Sequence, residues 1–332
     1  GIQFNAGARL YLDQVNATGG LNRKSVELAR LDDGYEPDRC AENTRKLLAD
    51  DPLVLFGYVG TPTSLAALPL ATAARTPFYA PFTGAMGLRT PFNRYAFHLR
   101  ASYNDETALI VRQLSTLGLR KIAVFHQNDA YGKAGLDGVQ LALAAQNSQP
   151  VALATVERNS VDVAAAVRTL VAAGPDAIVQ IGASKACAAF IKAAKAAGYG
   201  GTFFNVSFVG TQALADELGK DGAGVVVSQV MPSPYNPARA IAREFVDAVR
   251  KAGLKDDQAN FSSMEGYLAA RVLVEALRKG PAKVTRDSVV TSLEALGNQS
   301  FGGFNVSLSP TDHAASKFVE LSMLTGDGRV RT

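Results

Sequence analysis

Short hydroxyl side chains follow an apolar run in the first fifth of the chain, in the sequence Gly-Tyr-Val-Gly-Thr-Pro-Thr-Ser. The run at 53–60 predicts a buried strand, and the apolar pattern of 65–74 predicts a helix. In open α/β sheets such a junction binds small ligands, because backbone N–H groups and hydroxyls point into one crevice. An ordinary helix N-cap would use the same residue types. The candidate donors of this loop are Thr61, Thr63 and Ser64.

Four further loops at predicted strand ends carry small polar or aromatic residues. They lie at 82–85, 128–132, 182–184 and 205–208. These loops contain hydrogen-bond donors and rings but no recognisable catalytic apparatus. That combination is typical of a cleft that binds a small molecule without transforming it.

Motifs for the common chemistries are missing from the sequence. Neither GxGxxG nor GxxxxGK[ST] follows a predicted strand, and there is no GxSxG elbow. The three histidines are too few and too far apart for a zinc site. Paired carboxylates at 32–33, 50–51 and 256–257 lie at element ends, where solvated caps are the better interpretation. We therefore expect no catalytic residue, no metal and no cofactor, and we do not expect an enzyme.

Length and composition indicate a globular protein of two domains. The chain has 332 residues, of which 47% are hydrophobic and 19% charged, and its net charge is +4. Lysine and arginine are scattered, without basic–aromatic interleaving, so we expect no nucleic-acid partner. No apolar stretch reaches the roughly 18 residues that a membrane span needs.

The predicted elements repeat as β-α units of roughly 25 to 30 residues, for example a strand at 121–126. This rhythm indicates an α/β fold with doubly wound parallel sheets. A strand is also expected at 25–32, from its alternating pattern. Three prolines at 231–237 form a stiff connector, which leads into helices as though the chain returned to its first lobe. The chain opens on a helical pattern at 6–17, so we expect that an initial strand and an export signal precede the given sequence.

The order and spacing of these features resemble one known family, the periplasmic solute-binding proteins of ABC importers of the leucine/isoleucine/valine-binding type. The resemblance covers essentially the whole chain. It rests on the first helix (Gly7-Ala8-Arg9-Leu10 to Gly19-Gly20-Leu21-Asn22), Asp32-Asp33 before Pro37, the Gly57-to-Ser64 loop, the Pro81 loop, Arg100, Tyr131-Gly132 and the Phe203–Gly210 segment.

This resemblance implies a type I periplasmic binding protein fold, with two lobes that three hinge crossovers join. The first lobe would comprise 1–101 and 233–299, and the second 102–232 and 300–332. The implied protein is a periplasmic monomer whose signal peptide has been removed. It would close on a small ligand and deliver it to a membrane permease.

By matching position, the resemblance implies a site for the carboxylate of a ligand. Thr61 takes the place of a family hydroxyl that binds the carboxylate, and Thr83 and the helix start at Ser64 would assist it. Phe82 and Gly84 take places on the second loop, which offers further donors.

On the other lobe, Tyr131 matches a family aromatic, and Phe208 would line the apolar part of the site with it. This chain departs from the amino-acid binders at two positions. Ser207 stands where they place a Glu against the ligand ammonium, and Ala183 stands where they place a Tyr over the ligand. The carboxylate half of the site therefore matches better than the ammonium half, and aromatic acids and other organic solutes become candidate ligands.

Two alternatives remain on sequence grounds. The same fold could serve as a ligand-sensing receptor or regulator domain, or an α/β enzyme such as a dehydrogenase could use it. The disulfide of some family members is not reproduced, because Cys40 lies near one of its positions and Gly60 occupies the other. We predict that Cys40 and Cys187 are both free.

Overall fold

A computed structural model describes residues 1–332, with eleven α-helices and twelve β-strands. The helices are α1 (Ile2–Ala17), α2 (Pro37–Ala49), α3 (Thr61–Ala73), α4 (Tyr103–Thr116), α5 (Ala130–Ala144), α6 (Ala164–Ala172), α7 (Ser184–Ala196), α8 (Thr211–Leu218), α9 (Ala240–Lys251), α10 (Phe261–Lys279) and α11 (Arg286–Glu294). The strands are β1 (Leu55–Phe56), β2 (Phe78–Tyr79), β3 (Ala96–Phe97), β4 (Ile122–Gln127), β5 (Ala152–Val156), β6 (Ala177–Ile181), β7 (Thr202–Asn205), β8 (Val226–Gln229), β9 (Gly297–Phe301), β10 (Phe304–Leu308), β11 (Glu320–Leu324) and β12 (Val330–Arg331).

The chain divides into two compact units, each assembled from separate segments. The first unit comprises Gly1–Thr83, Gly87–Ala101 and Met231–Lys317, and the second comprises Gly84–Met86, Ser102–Val230 and Phe318–Thr332.

The largest difference from the expected division concerns 300–317, which belong to the first unit. Two contacts explain the difference. Strand β10 pairs antiparallel with β9, and His98 N donates to His313 O at 2.8 Å. Both contacts are made within the first unit. Gly84–Met86 and Met231–Pro232 likewise lie in the unit opposite to the expected one.

The first unit is built on a short parallel sheet of order β1-β2-β3. Helices α1 and α10 pack at unusually close range beside it. A Cβ added to Gly266 would lie 1.9 Å from the carbonyl oxygen of Phe4, and one added to Gly7 would lie 1.8 Å from that of Ser263. Only glycine permits this approach, since any larger residue would force the two backbones apart.

The strand predicted at 25–32 is wrong, because these residues form no ladder. Side chains of α1 bind its backbone instead. Asn16 Nδ2 donates to Val26 O at 2.9 Å and Asn16 Oδ1 accepts from Val26 N at 2.7 Å, while Arg9 donates to Leu28 O. Alternating residues favour an extended backbone, but a strand also needs a neighbour with which to pair.

The second unit is a seven-stranded sheet of order β12-β11-β8-β7-β6-β4-β5. Neighbours from β5 to β8 run parallel, whereas β11 and β12 pair antiparallel. The carboxyl ends of β4, β6 and β7 therefore meet at one edge. Strand β5 lies on one side of β4 and β6 on the other, so the order of strand addition reverses between β4 and β6. In open α/β sheets, ligands bind at such a switch point. Buried side chains such as Phe125, Ile178 and Phe190 form one core cluster of this unit, and a second cluster includes the alternate strand residues Val124 and Val179.

Candidate functional site

Helix α3 begins at Thr61 because two glycines turn the chain sharply after β1. Gly57 and Gly60 have φ angles of 66° and 99°, which residues with a Cβ rarely adopt. A Cβ on Gly60 would also lie 2.4 Å from Cε1 of Tyr35. Proline at the second helical position, Pro62, needs no N–H there, because the first N–H groups of a helix lack intrahelical acceptors. The turn thus places Thr61 at the positive end of a 13-residue helix.

Two of the predicted hydroxyls meet directly. Thr61 Oγ1 and Thr83 Oγ1 lie 2.6 Å apart, and both residues are buried. Nearby in sequence, the Oγ of Ser64 is fully buried without a hydrogen-bond partner. An unmatched buried hydroxyl costs free energy unless another group supplies the missing bond. Thr63 differs from these residues, since its hydroxyl donates to the carbonyl of Val59.

Phe82 is held from both sides within the first unit. Its N–H donates to Tyr58 O at 2.6 Å, and its ring centroid lies 5.7 Å from that of Phe4. The Arg100 guanidinium lies 4.4 Å from the Phe82 ring centroid, within cation–π range.

Arg100 is itself fixed by a bidentate ion pair. Its Nε and Nη2 donate to the two carboxylate oxygens of Glu265 at 3.0 and 2.8 Å, and both residues are buried. Burial raises the pKa of the Glu265 carboxyl, while the Arg100 charge opposes that rise. Arg89 donates to the carbonyl of Arg100 at 2.9 Å. The loop that carries Phe82 therefore rests on a buried ionic cluster.

In the second unit, three strand-end loops meet around Tyr131. Asp129 caps α5 by accepting from the N–H groups of Tyr131 and Gly132, which places Tyr131 in the first helical turn. The Tyr131 hydroxyl donates to Gly182 O at 3.0 Å, just before Ala183 begins α7 as its N-cap. The Tyr131 ring centroid lies 4.7 Å from that of Phe208. Tyr131, Ala183 and Phe208 are thus neighbours at one edge of the sheet.

The remaining predicted residues also fall into this unit. Gly84 O accepts from Tyr103 N at 2.8 Å, and a Cβ on Gly84 would lie 2.7 Å from the same nitrogen. Ser207 opens a short turn after β7. The structure therefore groups the predicted residues into two sets. The first unit holds Thr61, Thr63, Ser64, Phe82 and Thr83, and the second holds Gly84, Tyr131, Ala183, Ser207 and Phe208.

Glu106 of α4 is a residue that the sequence reasoning missed. It is fully buried and accepts hydrogen bonds from the backbone N–H and the hydroxyl of Ser207, at 2.8 and 3.0 Å. The sequence carried a signal for it. Glu106 lies three residues after Tyr103 and four before Ile110, on the apolar face of the helix, where a charged side chain is rarely placed without a partner.

A separate cleft of about 530 Å³ opens at the amino ends of β6, β7 and β8. Asp176, Lys195 and Tyr199 contribute to its lining. Asp176 Oδ2 accepts from the backbone N–H groups of Arg120 and Lys121, which lower the pKa of its carboxyl. None of the predicted site residues lines this cleft, so its size alone does not make it the ligand site.

Both cysteines are buried and free. Burial, followed by the nearby charge of Asp33, raises the pKa of the Cys40 thiol to about 12, and burial also raises the pKa of the Cys187 thiol. Neither thiol is therefore a ready nucleophile at neutral pH. None of the helices has the length and apolarity to cross a bilayer.

Comparison with known proteins gives one consistent family. A sequence model described as periplasmic binding protein matches residues 1–328. Leu/Ile/Val-binding protein homolog 7 of Brucella melitensis is 23% identical over 356 residues, covering 100% of this chain and 86% of that protein. A possible leucine/isoleucine/valine-binding protein from Rhodopirellula baltica has a similar structure, with a TM-score of 0.93 and 34% identity over 98% of this chain and 90% of that chain. A substrate-binding periplasmic protein from Ralstonia solanacearum has a TM-score of 0.92 and 33% identity, covering 100% of this chain and 95% of that chain.

More distant structures share the fold and carry different ligands. A branched-chain amino acid ABC transporter protein from Thermus thermophilus, with bound valine, has a TM-score of 0.89 at 18% identity, covering 99% of this chain and 90% of that chain. A solute-binding protein of an ABC transporter from R. palustris, in complex with benzoate, has a TM-score of 0.85 at 20% identity, covering 98% and 89%.

Proposed function

Because the chain belongs to the periplasmic binding protein family, we propose that it is an extracytoplasmic solute-binding protein. It captures a small carboxylate-bearing molecule and delivers it to the permease of an ABC importer. The protein acts by binding rather than by catalysis, as a monomer. The ligand is a hydrophobic amino acid-like compound or an aromatic or other organic acid.

The observation that carries this proposal is the hydroxyl pair at the start of α3. Thr61 Oγ1 and Thr83 Oγ1 lie 2.6 Å apart, next to the N-terminus of the helix and the unmatched hydroxyl of Ser64. Helix N-termini attract anions through their N–H groups and dipole. Hydroxyls can donate to a carboxylate oxygen, so this pair and the first N–H groups of α3 are donor types that suit a carboxylate.

The aromatic set of the second unit supports an apolar ligand body. Tyr131 and Phe208 pack against each other, and the Tyr131 hydroxyl is already bonded to Gly182. That hydroxyl therefore fixes the ring, whose face can then contact an apolar group. A larger side chain at position 183 would reduce the space for the ligand, so alanine at this position favours a wider ligand. The two ligands named in the distant structures, valine and benzoate, both combine a carboxylate with an apolar body.

Ligand-dependent thermal stabilisation tests this proposal. The protein is first unfolded and refolded to release any co-purified molecule, and then screened against hydrophobic amino acids and aromatic acids. A ligand that binds only the native state stabilises it by about 2.7 kcal/mol at 100 times Kd, which raises Tm measurably. If no carboxylate raises Tm while the refolded protein retains its circular dichroism spectrum, the proposal fails.

A single substitution then tests the carboxylate site. Thr61→Val keeps the size of the side chain and removes the hydroxyl, so affinity for the carboxylate should fall at least tenfold. The matched control is Thr72→Val on the same helix, whose hydroxyl donates to Leu68 O. That variant should bind as the unaltered protein does. Equal affinity loss in both variants would mean that the effect comes from disturbing α3.

The importer role is tested apart from binding. Proteoliposomes that contain the partner permease should take up the ligand only when the liganded protein is present outside. A protein that binds its ligand but stimulates no uptake would favour the alternative role, a ligand-sensing domain of the same fold.

A further inference from the structure

The amino ends of β7 and β8 stand apart in the second unit. Strand β7 pairs with β6 from Thr202 onward, but it pairs with β8 only from Phe204. The two residues before β8 are bound to β11 instead, because Gly224 N donates to Leu324 O at 3.0 Å and Val225 O accepts from Leu324 N at 2.9 Å. The cleft of about 530 Å³ opens where these two strands part.

The inner surface of this cleft is apolar and well supported. Phe203 and Val225 line it and are only 2% and 1% exposed. The ring of Tyr199 lies 5.5 Å from that of Phe203 between centroids, and its hydroxyl donates to Pro175 O at 3.0 Å. A Cβ on Gly201 would lie 2.1 Å from the Tyr199 hydroxyl oxygen, so glycine leaves room for this ring. A preformed apolar cleft of about 300–1,000 Å³ is typical of small-molecule sites.

Two side chains of opposite charge line the same cleft. Lys195 lies in the last turn of α7, and its ammonium donates to Asp221 O at 2.7 Å. Asp176 precedes β6, and its Oδ2 accepts from the backbone N–H groups of Arg120 and Lys121, both at 2.9 Å. Each group keeps unused capacity, because an ammonium has three donors and a carboxylate accepts through both of its oxygens.

The hydrogen-bond partners of both charged groups are neutral backbone groups. Lys195 and Asp176 form no ion pair with each other or with another side chain. The charge of Lys121 also lowers the pKa of the Asp176 carboxyl, but less than the backbone N–H groups do. Both side chains are ionised at neutral pH. A molecule with a carboxylate and an ammonium group can therefore satisfy both, whereas a singly charged molecule can satisfy only one.

We propose that this cleft is a second binding site, for a small dipolar molecule whose ammonium and carboxylate groups are joined by an apolar body, such as a dipeptide. The carboxylate binds Lys195, the ammonium binds Asp176, and the apolar body lies against Phe203 and Tyr199. The site is separate from the function proposed above, because none of the residues of the proposed carboxylate site lines the cleft. Since both charges are partly exposed, each ion pair should contribute roughly threefold to fivefold in affinity.

Glycine labelled with nitrogen-15 provides a local readout of binding. Gly200, Gly201 and Gly224 line the cleft, whereas Gly60 and Gly84 belong to loops of the proposed carboxylate site. The dipeptide alanylphenylalanine is titrated into the full chain at pH 7 and followed by proton–nitrogen correlation NMR. Its N-acetyl derivative lacks the ammonium group, and its C-terminal amide lacks the carboxylate. The three cleft signals should shift saturably with the dipeptide, and Kd should be at least threefold higher for either derivative.

Two substitutions assign the charged groups. Lys195→Met keeps the length of the side chain and removes its charge, so the protein should lose its preference for the dipeptide over the amide but keep its preference over the N-acetyl derivative. Asp176→Asn keeps an oxygen for the backbone N–H groups and should have the reverse effect. Lys192→Met is the matched control, since Lys192 is exposed on the same helix and does not line the cleft. It should leave both preferences unchanged.

The outcomes separate the second site from the proposed function. The second site is overturned if millimolar dipeptide shifts none of the three cleft signals, or if both derivatives bind as tightly as the dipeptide. Shifts confined to Gly60 and Gly84 also overturn it, because the dipeptide then occupies the proposed carboxylate site. If the cleft signals respond as expected while no acid raises Tm, the proposed function fails and the second site stands.

Discussion

The buried ion pair between Arg100 and Glu265 should contribute strongly to the stability of the first unit. The two residues are 1% and 3% exposed, and two hydrogen bonds of 3.0 and 2.8 Å join them. Removing one partner of such a pair leaves a buried charge without compensation, which costs about 3–5 kcal/mol. We expect a loss of this size in the free energy of unfolding for Glu265→Gln, measured at pH 7 by denaturant titration with circular dichroism.

The two partners should respond differently to pH. Arg100 cannot lose its proton, so Glu265→Gln should stay destabilised from pH 7 to pH 5. In Arg100→Met, the remaining Glu265 can take up a proton, and burial already raises the pKa of its carboxyl. A carboxyl with a raised pKa in the folded state gives stability that is present at low pH and is lost as pH rises through that pKa. The deficit of Arg100→Met should therefore shrink between pH 7 and pH 5.

An exposed ion pair provides the matched control. Glu42 and Lys46 lie 3.4 Å apart on the surface of α2, with side chains that are 66% and 63% exposed. Glu42→Gln should change the free energy of unfolding by less than about 0.5 kcal/mol, as exposed pairs usually do. The reasoning is refuted if Glu265→Gln costs less than about 1 kcal/mol, or if the two variants of the buried pair show the same pH dependence.

Three further predictions concern other parts of the fold. Burial lowers the pKa of His98 well below its usual 6.5, so below pH 6.5 the unfolded state takes up a proton that the folded state does not. One such group lowers the stability of the protein by about 1.4 kcal/mol for each pH unit of further acidification. His98→Gln should reduce this loss of stability. Gly266→Ala should lower Tm by at least several degrees in a thermal melt, because its Cβ would lie 1.9 Å from Phe4 O, whereas alanine ordinarily favours a helix. Cys40 and Cys187 should both resist a thiol reagent at pH 8 and react fully in denaturant, since each is buried and has a raised pKa; rapid reaction of the native protein would contradict this.

The sequence predicted those helices and strands that their own residues specify, through helical apolar spacing or through an apolar run that is buried on both faces. The helical pattern expected at 6–17 corresponds to α1, Ile2–Ala17, because its buried Ala8, Leu12 and Val15 recur at helical spacing. The strand expected at 121–126 is β4, Ile122–Gln127, because a nearly continuous apolar run is typical of a strand that is buried on both faces. The strand predicted at 25–32 is not formed. An alternating pattern shows that the backbone can be extended, but it does not show whether a neighbouring strand is available for pairing. Strand β9 was missed because its partly exposed, polar sequence becomes a strand only by pairing with β10.

The residues of the candidate site also differ in whether the sequence could predict them. The hydroxyl loop at Thr61 could be read from the sequence, because its residues are contiguous and follow a recognisable strand. Glu106 could not, since 101 residues separate it from Ser207 and only the packing of α4 against the end of β7 brings them together. A buried charge on the apolar face of a helix indicates that a partner exists, but not which one.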